Sequence, residues 1–397
     1  MRRALLGVEL PRDGEAFTPE GMRVAGVVAG SMAHAAGVLP GDLLLRVGSW
    51  PVRSPVELRA ALRGAGALDF VEIVVVRGGA PVSLAARVER RPAEKIAGAE
   101  VRYDEIVSRG ARLRVIVTRP EGAVKSPAML FIQGISCESI DHGGRPRAPL
   151  VRFIERWSEA GLVTMRLEKR GVGDSEGEGC EREGFDGEVE DVKAALRALA
   201  GYAFVDPEAI FVFGHSVGGM IAPLLAPLGV IRGSVVLGTS AARWLDCVEA
   251  STRRQLRLRG ATADDSERTA RIERAAIERA IQDPSANGVV GGRGGAFHRE
   301  LQAKDLTRAW AEVNHPLLVL YGEHDWVVSE EEHAAITRIV NDRRPGGAEM
   351  QTLRGLDHLM TRHGSLDESL RSYGAGELDP AVAEVSSAFV RRVLAGG

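Results

Sequence analysis

Hydrophobic and polar positions follow two different rhythms along this chain, and the rhythm changes near residue 92. Before it, strand-like pieces dominate, at 5–10, 22–28, 42–47, 70–76 and 82–88. Two helical stretches interrupt them, at 32–36 and 54–63; Ser54 is placed to cap the second and Pro55 suits its first turn. Residues 92–95, Pro-Ala-Glu-Lys, close a charged, proline-containing stretch and are predicted to link two domains, 1–91 and 96–397.

After the link, two alternating stretches at 100–107 and 113–118 flank Ser108-Arg109-Gly110-Ala111 and predict a hairpin. The run 128–132 is continuously apolar, as expected of a strand buried on both faces, 234–237 and 317–321 read as two more buried strands, and further strands are expected at 162–167, 210–213 and 349–353. Helical spacing lies between them: 147–160, 187–199 with Val189, Val192, Leu196 and Leu199 on one stripe, 330–340 and 381–394. Strands alternating with helices predict an α/β fold, a mostly parallel sheet covered on both faces, behind a small β-domain. The segment 241–314 interrupts that alternation as an insertion with helices expected at 265–282 and 296–313, joined by a glycine run at 288–295.

Composition narrows the function classes. A formal net charge of −3 offers no basic surface for nucleic acid and no acidic tail. The start of the chain lacks the apolar run of a signal peptide, and no run is long enough to span a bilayer, so the expectation is a cytoplasmic protein with no membrane partner. Three cysteines, Cys137, Cys180 and Cys247, are too few and too scattered to read as a disulfide framework, and no metal spacing is present. Cys137 reads as a small packing residue. The glycines at 288–295 follow no strand and precede no Lys-Ser/Thr, so they are not a phosphate loop. No cofactor is expected.

The chemistry is concentrated in Gly214-His215-Ser216-Val217-Gly218, which an apolar run enters and a small-residue helix start leaves. This is Gly-x-Ser-x-Gly on a strand-to-helix turn, the nucleophile elbow. The turn lifts the hydroxyl of Ser216 clear of the sheet and aims the Val217 amide at the place where an oxyanion forms. A serine hydroxyl is a weak nucleophile until a base takes its proton, and histidine, with a reference pKa near 6.5, is the usual base.

Residues 96–397 therefore resemble an α/β-hydrolase, and Glu168 to Ser175 resembles the family's Asp-x-Arg-Gly-x-Gly-x-Ser turn with Glu168 in place of aspartate. The resemblance extends to bacterial esterases and to serine peptidases of the prolyl-oligopeptidase and dienelactone-hydrolase type. It implies the chain order serine, acid, histidine. Asp325, just after the strand at 317–321, matches the acid, with Glu323 and Asp357 as competitors. His358 matches the base, with His363 as the alternative. His215 is expected to pack beside the nucleophile without moving a proton. The loop after 128–132 reads Gln133-Gly134-Ile135 where the family often has His-Gly-x, and the amide of Ile135 is the expected second oxyanion donor, with that of Gly134 as runner-up. The 241–314 insertion would form a cap, and one of its arginines is a candidate to bind a carboxylate.

Residues 28–42, 48–52 and the helix that follows resemble a bacterial PDZ domain. That resemblance places a carboxylate-binding loop on Leu6-Gly7-Val8, where an added peptide strand would end. Capture of a peptide C-terminus and simple docking, on the enzyme or on a second copy of the chain, both stay open, and a homo-oligomer is compatible with either. Three functions follow: hydrolysis of a carboxylic ester or thioester through an acyl-enzyme, peptidase or acyl-transfer chemistry on a recruited peptide, or a binding module without catalysis.

Overall fold

The computed structural model describes residues 2–11, 16–145, 148–282, 289–376 and 378–396. Arg147 and Gly288, where a helix and the glycine run were expected to begin, lie outside them. The chain divides into two compact units, Met1–Glu94 with Arg170–Gly179, and Lys95–Lys169 with Cys180–Gly397.

The first unit holds a five-stranded antiparallel sheet, a separate two-stranded ladder and the helices Met32–Ala36 and Pro55–Ala65. The sequence predicts one strand over 22–28. The structure splits it into Met22–Arg23 and Gly26–Val27, which join different sheets. Ser54 caps the second helix by accepting from the Glu57 amide at 3.1 Å. Leu6, Met22, Leu44, Val47, Ile73 and Val75 fill the core between sheet and helices.

Element labels refer to the second unit. Its sheet has eight strands: β1 Ala99–Ser108, β2 Ala111–Pro120, β3 Ser126–Ile132, β4 Val163–Leu167, β5 Val205–His215, β6 Gly233–Leu237, β7 Leu317–His324 and β8 Ala348–Asp357. Their spatial order is β8-β7-β6-β5-β3-β4-β2-β1, antiparallel only where β2 meets β1 and β4. Arg109 and Gly110, between β1 and β2, both have positive φ, as the tight hairpin turn there requires. The order reverses at β3, which is flanked by β4 and β5, both parallel to it. Crevices at such a switch point, beyond the carboxyl ends of the strands, are where α/β sheets bind ligands.

Ten helices are described around this sheet: α1 Pro149–Glu159, α2 Phe185–Ala200, α3 Val217–Leu225, α4 Trp244–Leu258, α5 Ala263–Gln282, α6 Gly295–Gln302, α7 Leu306–Ala311, α8 Glu330–Arg343, α9 Leu366–Ser372 and α10 Pro380–Ala395. Burial on both faces explains the continuous apolar runs. Along β5, Ile210 and Val212 join the core on one face while Phe211 and Phe213 join the other. On the second face Trp157 of α1 packs on Phe131 and Phe213, and Phe153 on Phe213, at ring separations of 5.2 to 6.4 Å. Trp157 is buried, and its indole donates to Ser386 Oγ at 2.8 Å; cutting it to alanine would cost about 3–5 kcal/mol.

The insertion forms α4 to α7 and a short hairpin, Val289–Val290 with Arg293–Gly294. The helix expected over 296–313 is two helices, because Asp305 caps a fresh start by accepting from the Arg308 amide.

Candidate active site

Ser216 stands between β5 and α3 with φ 55° and ψ −121°, a backbone that L-residues avoid. The surroundings impose it. A methyl group on Gly214 would lie 2.6 Å from the Gly218 carbonyl, and one on Gly218 would lie 2.2 Å from that of Ile132, so both positions exclude any side chain. The Ser216 amide donates to Leu237 O of β6 at 2.9 Å, which ties the strained residue to the neighbouring strand.

His358, on the loop after β8, brings Nε2 to 3.1 Å from Ser216 Oγ. Its Nδ1 lies 3.0 Å from Asp325 Oδ2 and 3.2 Å from Oδ1. An ionised carboxylate only accepts, so Nδ1 carries the proton and Nε2 faces the serine as an acceptor. Asp325 is buried, which by itself would raise its pKa. The charge of His358 and its hydrogen bond, with the Val328 amide, outweigh burial and hold the carboxyl below its ordinary value.

The competitors weighed for these roles have other partners. Asp357 accepts from the amides of Leu359 and Thr361, from Thr361 Oγ1 at 2.8 Å and from Ser369 Oγ at 3.1 Å, and its Oδ2 lies 3.3 Å from His363 Nε2. These two residues brace the loop that carries His358. Glu323 accepts from the Gly355 amide at 2.8 Å. His215 is driven down to about 4 by burial and by the nearby charge of His358, so it is neutral at ordinary pH.

The loop after β3 passes beside the serine: a methyl group on Gly134 would lie 3.1 Å from Ser216 Cβ. The Ile135 amide, on the same loop, donates to no other group among the described residues. Val217 opens α3, so its amide has no partner within the helix. Both residues line a cavity of about 870 Å³ that also contains Ser216 and His358. Its walls are largely apolar, with Met220, Trp244, Val248, Ile277 and Trp326 among them. Trp326 stacks on Tyr373 with ring centroids 5.0 Å apart. Among the described residues no group of three or more His, Cys, Asp or Glu side chains is arranged to hold a metal ion.

One expectation is overturned. Cys137 and Cys180 form a disulfide across 43 residues, so Cys137 is not a lone packing residue. Nothing local to either cysteine announces it; the fold brings the loop after β3 against a 3₁₀ turn at Cys180–Arg182. Cys247 remains free, its thiol raised to about 12 by burial. In the first unit Leu6 is buried, Gly7 has φ +76°, and Val8 pairs with Val27. Gly7 O accepts from the Val28 amide at 2.9 Å and from Ser31 Oγ at 3.2 Å.

Comparison with known proteins agrees with this architecture. Residues 141–362, more than half of the chain, match the model of the serine aminopeptidase S33 family, and residues 23–77 match a PDZ domain model. Among solved structures, Est1E from Butyrivibrio proteoclasticus with bound ferulic acid superposes with a TM-score of 0.50 at 19% identity, over 74% of this chain and 99% of that one. DcsB in complex with its substrate analogue gives 0.51 at 16% identity, over 74% and 99%. Both likenesses concern the fold. The quorum-quenching protein AidA of Acinetobacter baumannii is 28% identical over 120 residues, which are 30% of this chain and 36% of that protein. The chain thus belongs to the serine aminopeptidase S33 family, as a serine hydrolase of α/β-hydrolase fold that also carries a PDZ domain.

Proposed function

We propose that the protein cleaves a carboxylic ester or thioester with an apolar acyl or leaving group, through an acyl-enzyme on Ser216. The observation that carries this reading is the hydrogen-bonded chain Ser216–His358–Asp325 opening into the largely apolar cavity. As Ser216 Oγ attacks the carbonyl carbon, His358 Nε2 takes its proton, and Asp325 stabilises the imidazolium. The amides of Ile135 and Val217 receive the oxyanion; one such donor is worth about 2.7–4 kcal/mol. Collapse expels the leaving group, which takes its proton from His358, and water repeats the cycle to release the acid. The test is a panel of p-nitrophenyl esters, acyl thioesters and peptide amides at matched concentration. The reading requires turnover of esters or thioesters that Ser216→Ala removes; an unaffected Ser216→Ala enzyme would refute it.

A second reading has its own support. The matched family is described as a serine aminopeptidase, and a PDZ domain generally binds peptides. Here the Leu6-Gly7-Val8 loop receives a peptide C-terminus and Ser216 attacks an amide or transfers an acyl group. Peptides with free and amidated C-termini, offered to the full chain, distinguish it: this reading requires amide cleavage and preference for the free terminus. The compartment belongs to the same proposal. The Cys137–Cys180 bond favours an oxidising one over the cytoplasmic default drawn from the sequence.

A further inference from the structure

Behind the loop after β3 lies a cluster of buried charge that the chemistry above does not use. Lys169, from the turn after β4, Glu188, on α2, and Arg293, in the hairpin of the insertion, are 8%, 5% and 0% exposed. Lys169 Nζ lies 3.3 Å from Glu188 Oε2, and Arg293 pairs with Glu188 Oε1. The arginine also lies over the ring of Phe297, 3.8 Å from its centroid. Two cations thus share one carboxylate, and burying unbalanced charge is costly unless each cation has further acceptors. Those acceptors are backbone carbonyls: that of Glu183, which accepts from Arg293 Nη2 at 3.2 Å, and two of the loop. Lys169 Nζ donates to Gly134 O at 2.6 Å, and Arg293 Nη1 donates to Ile135 O at 3.2 Å.

The identity of these carbonyls matters. Gly134 C=O and the Ile135 N–H belong to one peptide group. That group is planar and trans, so its oxygen and its hydrogen point in opposite directions. Holding the oxygen on Lys169 sets the direction of the Ile135 N–H. A cation on the carbonyl also draws electron density from the amide and makes its N–H a stronger donor. Arg293 fixes the next peptide group in the same way, and so connects the insertion to the loop.

We propose that Lys169, held by Glu188 and seconded by Arg293, is a positioning residue that aims and polarises the Ile135 amide toward the oxyanion. This rests on the reading of Ser216, His358 and the two amides given above. The arrangement predicts a pH signature. Burial first, and then the charge of Arg293, pull Lys169 down to about 8, against the opposing pull of Glu188. Glu188 on α2 and Arg293 of the hairpin are the charged groups facing it. Glu168, its neighbour in the turn, accepts from Ser139 Oγ. Loss of the Lys169 proton weakens the polarisation and lowers kcat above that pH.

The experiment measures kcat and KM from pH 6 to 10 on an ester that the full-length protein turns over, for wild type, Lys169→Met, Lys169→Arg and Ser216→Ala. The expected result is a kcat roughly ten- to a hundredfold lower in Lys169→Met, with KM within about twofold, since the amide acts on the oxyanion and not on the bound ester. Lys169→Arg, whose guanidinium does not deprotonate, recovers activity and removes the alkaline fall near pH 8. Wild-type kcat in Lys169→Met, or an alkaline fall unchanged in Lys169→Arg, would overturn the proposal while leaving Ser216 chemistry intact. Should Lys169→Met not fold, the Lys169→Arg profile decides alone. Turnover that survives in Ser216→Ala would remove the underlying reading, and the positioning role with it.

Discussion

His215 Nε2 lies 2.7 Å from the backbone carbonyl of His358. A carbonyl only accepts, so the neutral His215 ring donates, and a residue inside the elbow clamps the loop that carries His358. The two rings are 5.2 Å apart. In the proposed chemistry His215 holds the geometry between Ser216 and His358 without exchanging a proton. His215→Phe keeps most of the volume and removes the donor. The expected outcome in steady-state kinetics is a kcat lower by about tenfold with little change in KM, since small misplacements of a base are costly.

The acid assignment has a direct test. Asp325 and Asp357 are both buried and both near histidines, but only Asp325 reaches His358. Asp325→Asn is expected to lower kcat by about 10⁴ through the wrong imidazole tautomer, with little loss of stability. Asp357→Asn breaks the brace to Thr361, Ser369 and His363, and is expected to lower the melting temperature while retaining far more activity. Paired kinetics and thermal melts of the two variants check both halves.

Acid stability follows from a buried histidine away from the site. His315 Nε2 lies 2.6 Å from Ser234 Oγ, and burial first, then the charge of Arg344, drive it down to about 4. Unfolded, it titrates near 6.5. Between those values the unfolded chain binds the extra proton, so stability falls as pH falls. The slope for this group is at most about 1.4 kcal/mol per pH unit. Denaturant melts at pH 6.5, 5.5 and 4.5 are expected to show a shallower acid loss in His315→Gln than in wild type.

The disulfide is expected to appear in a thiol count. Protein unfolded without reductant exposes one reactive thiol per chain, Cys247, and unfolding with reductant exposes three. Closing a 43-residue loop stabilises by about 4 kcal/mol in the chain-entropy treatment. Cys180→Ala is expected to lose stability of that order in denaturant melts.

Continuous apolar runs made the central strands legible, because a strand buried on both faces needs no alternation. Strand β5 is the clearest case, with 210–213 divided between two cores. The ladder pieces of the first unit were less legible, since two-residue strands leave almost no pattern. Helix α4 went unread because only Trp244 and Leu245 are buried, and its other apolar residues, such as Val248, are interspersed with charged ones and only partly buried. At the site, the Gly-x-Ser-x-Gly turn carries a local signature, whereas the choice of His358 over His363 rested on family resemblance. The Cys137–Cys180 bond and the Lys169–Glu188–Arg293 cluster join residues far apart in the chain, and no local spacing encodes such meetings.

The proposed chemistry requires that Ser216 become covalently acylated. Intact-protein mass spectrometry after a fluorophosphonate probe, followed by peptide mapping, addresses it most directly. The expected result is one adduct per chain on the peptide containing Ser216, lost in Ser216→Ala and strongly slowed in His358→Ala. An unlabelled wild-type protein, or an adduct that persists in Ser216→Ala, would contradict it.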